Sequence, residues 1–176
     1  EPARLLATLR SRCRLHHLAP PPESYAISWL AREVTASSEA LLSALRLSAG
    51  SPGAALTLLQ AESWAHRTDF CAALVNTLNA GDWYILLAAL NHDQAAARLH
   101  WLATLFTDAL KRPYGIAHLT NPDALDLISS IAERLSVAQI QAILGDVCHC
   151  RQQLLNVTGV NRELVLTDLI LRIEHY

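Results

Sequence analysis

Apolar residues along this chain recur at helical spacing, and patterns that alternate every second residue are scarce. The clearest stripe is Ala124, Leu127, Ile128, Ile131 and Leu135, which places five apolar side chains on one helical face. A second runs through Leu99, Leu102, Phe106 and Leu110, and a third through Ile140, Ile143, Leu144, Val147 and Leu154. The pattern predicts an all-α fold. Only Cys13 to Leu18 reads as a short strand, and Pro20-Pro21-Pro22 closes it, because proline lacks a backbone donor and favours extended geometry.

Start and stop signals divide the rest. A helix is expected from Pro22 to about Val34. Thr35 to Ser38 is a turn with N-cap residues, and the helix after it carries Leu41, Leu42 and Leu45 before Gly50 stops it. Ser51-Pro52 reopens a helix, with serine as cap and proline in the first turn. Residues 21–61 therefore read as a small three-helix module. Longer helices follow: Ser63 to Leu78, one that Asp82 can cap, and one that Asp93 can cap. Asn121-Pro122 marks another start, Ser136 with Gln139 a capping box, and Asn161 the cap of the last helix. Residues 62–176 read as a bundle of five or six helices.

Composition narrows the class. The chain has 176 residues, 52% hydrophobic and 17% charged, which excludes a disordered chain. No run of about 18 uncharged apolar residues occurs, so no spanning helix is expected. A net charge of −2 lacks the basic excess of a nucleic-acid-binding domain. Lys111 is the only lysine, so the cations are nearly all arginine. Arginine suits planar contacts to carboxylate or phosphate. Four cysteines are too few for a disulfide scaffold, and reduced thiols in the cytoplasm are expected. Methionine is absent and the chain begins at Glu1, as expected of a piece cut from a larger protein; no targeting segment is visible.

Several constellations invite chemistry. Cys148-His149-Cys150, with His16-His17 as extra ligands, invites a metal reading. Helical residues two apart point about 200° apart, so the two thiols would not share a face. No metal is expected. Ser, His and Asp all occur, but no serine sits in a glycine-flanked elbow, and His66, His92, His100 and His118 read as surface or packed histidines. Gly50-Ser51-Pro52-Gly53 could seat an anion at a helix start or simply turn a corner. Trp29, Trp64, Trp83 and Trp101 lack interleaved basic residues, which favours packing over base stacking. Arg10-Ser11-Arg12-Cys13-Arg14 is either a solvated basic face or a site that reaches toward phosphate.

The stretch Leu5 to Cys13, with Ser11-Arg12-Cys13 at its end, resembles the S-R-C region of AAA+ clamp loaders. Gly50 to Leu56 is similar to the start of their lid helix. Ala142 to His149 and Gly159 to Leu164 are similar to the collar of the delta prime family of bacterial DNA polymerase III subunits. The resemblance covers essentially the whole chain. It implies the end of an AAA+ base domain at 1–20, a helical lid at 21–61 and a C-terminal helical collar for oligomerisation at 62–176. It further implies a stator that does not hydrolyse ATP. Its partners would be the gamma/tau and delta subunits and, through the complex, the sliding clamp and primed DNA, within a holoenzyme that is a nucleotidyltransferase. By the same resemblance Arg12 is a trans arginine finger for a neighbour's ATP site, with Ser11 and Cys13 in support. No cofactor is implied for this segment, and no arginine lies between Gly50 and Leu59, where ATP-hydrolysing members carry a sensor. The alternative is a free-standing helical enzyme or ligand-binding module, which would need a closed pocket with converging polar groups.

Overall fold

The computed structural model describes residues 6–14 and 19–176. Ten α-helices and no strand occur among the described residues. They are α1 (Ala7–Arg10), α2 (Glu23–Glu33), α3 (Ser38–Leu47), α4 (Pro52–Leu59), α5 (Ala61–Ala80), α6 (Tyr84–Leu90), α7 (Ala95–Lys111), α8 (Leu125–Arg134), α9 (Val137–Asn156) and α10 (Arg162–Glu174). Short 3-10 turns occupy Arg112–Tyr114 and Pro122–Ala124. The all-α expectation holds. The strand expected over Cys13 to Leu18 falls largely on 15–18, outside the described residues, as do His16 and His17.

Two hydrophobic clusters form. Ala26, Leu30, Leu41, Ala44, Leu45, Ala55 and Leu59 bury one face each of α2, α3 and α4 against one another. The larger cluster lies among α5 to α10, with α7 at its centre. Leu99, Leu102, Leu105, Phe106 and Ala109 of α7 are buried, and α7 packs most extensively on α9. Burying one such leucine or phenylalanine contributes about 1.5–3 kcal/mol. Phe70 meets Trp101 at 6.0 Å between ring centroids and Trp83 meets Phe106 at 6.3 Å, both tilted, as aromatic quadrupoles prefer.

The helix ends follow their local chemistry. Ser37, Ser51 and Asn161 accept hydrogen bonds from Ala40, Ala54 and Leu164 amides. The Ser136–Gln139 capping box forms in both directions. Gly81 ends α5 at φ +67°, a conformation that costs other L-residues about 1–2 kcal/mol.

One expected cap is corrected. Asp93 does not cap α7; its carboxylate binds Arg162 at 2.8 Å, and Gln94 takes the N-cap position. The start expected at Asn121-Pro122 is a 3-10 turn over Pro122–Ala124 that runs into α8 at Leu125, and the Asn121 side chain is buried and bonded to Asp108 and Arg67. Asp82 does serve α6: it accepts from the Tyr84 amide at 2.9 Å, while Glu174 of α10 accepts from Trp83 at 2.7 Å.

Candidate functional site

Ser11-Arg12-Cys13 follows the single turn of α1. Ser11 closes that turn, its amide donating to the Ala7 carbonyl and its Oγ to the Thr8 carbonyl at 3.1 Å. The Arg12 amide donates to Leu9. All three side chains are exposed. The serine therefore fixes the backbone from which the Arg12 guanidinium projects into solvent. An exposed, always-charged fork can enter a phosphate site on another chain.

Cys148 is exposed and Cys150 buried, on different faces of α9. No group of three ligating side chains converges among the described residues. Burial pushes the Cys150 thiol up to about 11, with the Asp168 charge adding to it, which makes it a poor ligand and nucleophile. Trp83 and Trp101 are core residues. Trp64 lies 4.7 Å from the Arg67 guanidinium, and Trp29 packs on the first cluster. Gly50 adopts φ +79° and turns the chain beneath Pro20, as a corner between helices requires.

A cavity of about 740 Å3 is a groove where the two helical groups meet. Trp64, Cys71, Val75, Pro122, Leu125 and Asp126 contribute to its walls. It opens along the surface, and the buried cation at its floor, Arg67, is occupied by Asp123. A closed enzyme pocket with converging free polar groups does not occur among the described residues.

Exposed apolar side chains are a different matter. Leu155 and Val157 end α9, and Leu164 and Leu171 lie seven residues apart on one face of α10, with Tyr176 beyond. Leu164 is 68% exposed.

The polar residues in and behind the groove wall escaped the sequence reading as a set. Ser43, Arg67, Asp108, Asn121 and Asp123 form one connected network. A signal existed. Arg67 shares the buried face of α5 with Phe70 and Leu74, and Asp108 sits within the apolar run of α7, so each is a charge where the period demands an apolar residue.

Comparison with known proteins matches two adjoining stretches of the chain. A family model described as DNA polymerase III subunit delta', AAA+ ATPase lid domain, matches residues 21–60. Another, described as DNA polymerase III, delta subunit, C terminal, matches residues 61–175. DNA polymerase III subunit delta' of Escherichia coli is 66% identical over 176 residues, all of this chain and 53% of that protein. The Yersinia pestis protein of the same name is 44% identical, over 97% of this chain and 52% of its own length. That of Haemophilus influenzae is 29% identical, over 97% and 53%. The chain spans about half the length of the curated relatives it matches.

Proposed function

This chain belongs to the delta' family of DNA polymerase III subunits, and from that premise we propose that it is the lid and collar of a clamp-loader stator. The observation that carries the reading is the succession of a lid match and a C-terminal match on two adjoining helical groups with separate cores. Residues 1–20 end an AAA+ base, 21–61 are the lid and 62–176 the collar. The collar holds the subunit in a ring with gamma/tau and delta, and the assembled ring loads the sliding clamp onto primed DNA during replication. The exposed leucines of α10 and the end of α9 support a collar that meets other collars.

In this reading the chain hydrolyses nothing itself. Arg12 reaches from its exposed turn into the ATP site of the neighbouring motor subunit. Charge develops on the γ-phosphate oxygens in the transition state, and a guanidinium supplied in trans stabilises it; in GTPases such a finger contributes about 10³–10⁵ in rate. Ser11 sets the turn, and Cys13 follows the finger without a bulky side chain. The absence of an arginine between Gly50 and Leu59 agrees with a lid that senses no nucleotide of its own.

The test uses the full-length protein in a reconstituted complex. Arg12→Ala is expected to lower DNA-stimulated ATP hydrolysis by the partner motor subunit while assembly, followed by size-exclusion chromatography with light scattering, is kept. Unchanged hydrolysis removes the finger assignment. Failure of the wild-type protein to assemble with gamma/tau and delta removes the stator reading.

A further inference from the structure

The stator reading gives no task to the groove between the α2–α4 group and the α5–α10 bundle. One wall of it is an outward face of α5. Trp64, Thr68, Cys71, Ala72 and Val75 follow one another there at helical spacing, and none of them is charged. A helix face turned to solvent is ordinarily polar. Here Ala72 is exposed, Val75 is 38% exposed and Trp64 is half-buried. The facing wall brings Ala40 of α3, Pro122 and Leu125, the last 48% exposed. From Trp64 to Val75 the groove follows about 16 Å of α5, the length of three helical turns.

The charges along the groove have one prevailing sign. Glu39, Asp123 and Asp126 line it, and among the described residues Arg67 is its one cation. That cation is spent. Its terminal nitrogens donate to Asp123 and Asn121, its guanidinium lies 4.7 Å from the centre of the Trp64 ring, and it is 2% exposed. Behind it Asn121 donates to Asp108, which also receives Lys111 at 2.8 Å. The polar chain that starts at Ser43 thus ends on a lysine already paired, and it adds no positive charge to the groove. The ion pairs among the described residues do not include Glu39 or Asp126. Each sits in the first turn of its helix, α3 and α8. The positive end of a helix, about half a charge, favours an ionised carboxylate there without cancelling it. The Glu39 carboxyl is held below 4.5 by its own amide and by the Ser38 and Ser37 hydroxyls.

We propose that this groove docks a basic amphipathic helix of another protein, about three turns long, with its apolar stripe on α5 and Leu125 and its lysines or arginines toward Glu39 and Asp126. The small side chains of α5 let a second helix approach to the near end of the usual separation, about 8–10 Å between axes. An acidic segment meets the same carboxylates as repulsion, so charge selects the partner. The inference goes beyond the stator reading and does not depend on it.

The experiment screens a displayed library of random peptides, about 16 residues each, against the full-length protein. A Val75→Asp, Leu125→Asp variant is the counter-screen; both side chains are exposed, so it keeps its fold, checked by circular dichroism. Peptides that prefer the wild type should share apolar residues at i, i+3 or i+4, and i+7, with an excess of Lys and Arg. In fluorescence anisotropy the double variant should weaken their binding about tenfold or more. Glu39→Gln with Asp126→Asn leaves the apolar walls untouched. It should weaken binding about three- to tenfold and reduce its salt dependence. A library that yields no peptide separating wild type from the Val75, Leu125 variant overturns the docking site. Selected peptides that are acidic or uncharged, or whose affinity ignores Glu39→Gln with Asp126→Asn, overturn the basic partner. Either result leaves the Arg12→Ala hydrolysis test, which judges the stator reading, where it stood.

Discussion

His100 shows how one side chain carries a condition for stability. Burial lowers its pKa below the usual 6.5, and the neighbouring Arg151 guanidinium lowers it further. The folded state thus holds the ring neutral while the unfolded chain binds a proton more readily. This contribution is complete above about pH 6.5 and is lost as pH falls through the lower folded value. The melting temperature should drop as pH falls below about 6.5, and His100→Gln should flatten that drop. Glu23 acts further into acid, since its hydrogen bond to Arg46 holds the carboxyl below 4.5 and that stability is lost as pH falls through the lowered value. Its side chain is 44% exposed, so solvent screening keeps the effect small. The cysteines divide in a parallel way. At about pH 8, iodoacetamide should alkylate exposed Cys13 and Cys148 and spare buried Cys150 and half-buried Cys71, both held protonated by burial. Peptide mapping by mass spectrometry reads the outcome directly.

Helices here are fixed by their ends as much as by their faces. Gly81→Ala adds no clash, because nothing lies within 4 Å of the new Cβ, so its effect isolates the backbone. It should destabilise by about 1–2 kcal/mol, and Gly81→Asn by less, since asparagine visits the left-handed region more readily. Urea unfolding of the two variants beside wild type checks the order. This is the scale at which the sequence was most legible. Serine, asparagine and glycine punctuation placed α3, α4, α9 and α10 because those caps need only their own neighbours. Asp93 misled for the opposite reason. It has a stronger distant partner, Arg162, and a local rule cannot see residues that folding brings from tens of positions away. The groove network stayed hidden for the same cause: Ser43 and Asp123 are 80 residues apart. The exposed turn at Arg12 was legible as an arginine cluster, but the role proposed for it came from resemblance, since no geometry within this chain supplies the phosphate it would face.

For the molecule as a whole, the two cores are joined by polar ties, and large leucines of α10 stay exposed. Leu164 and Leu171 hold no part of the core, so Leu164→Asp and Leu171→Asp should leave the melting temperature nearly unchanged. Within the stator reading they should weaken assembly with the partner collars by about tenfold or more each, as truncating a central interface contact does. Light scattering of the reconstituted complex at falling concentration measures it. Arginine serves the same integration from inside. Arg134 donates to the Leu78 carbonyl at 2.6 Å and Arg151 to that of Ala96 at 3.1 Å, so planar cations tie separate helices together where a lysine would supply a single point charge.

The polar chain from Ser43 to Lys111 also limits how such a sequence can drift over generations. A change at Asp123 alone strands the buried charge of Arg67, and a change at Arg67 alone strands the carboxylate. Either intermediate is worse than both endpoints, because an ion pair can be exchanged for apolar side chains of similar volume only when both partners go together. Ser43 carries no charge, and its loss leaves the pair whole. Descendants of this sequence should therefore inherit Arg67 and Asp123 as a block, keeping the charged pair or replacing it entirely, with few lineages surviving in between.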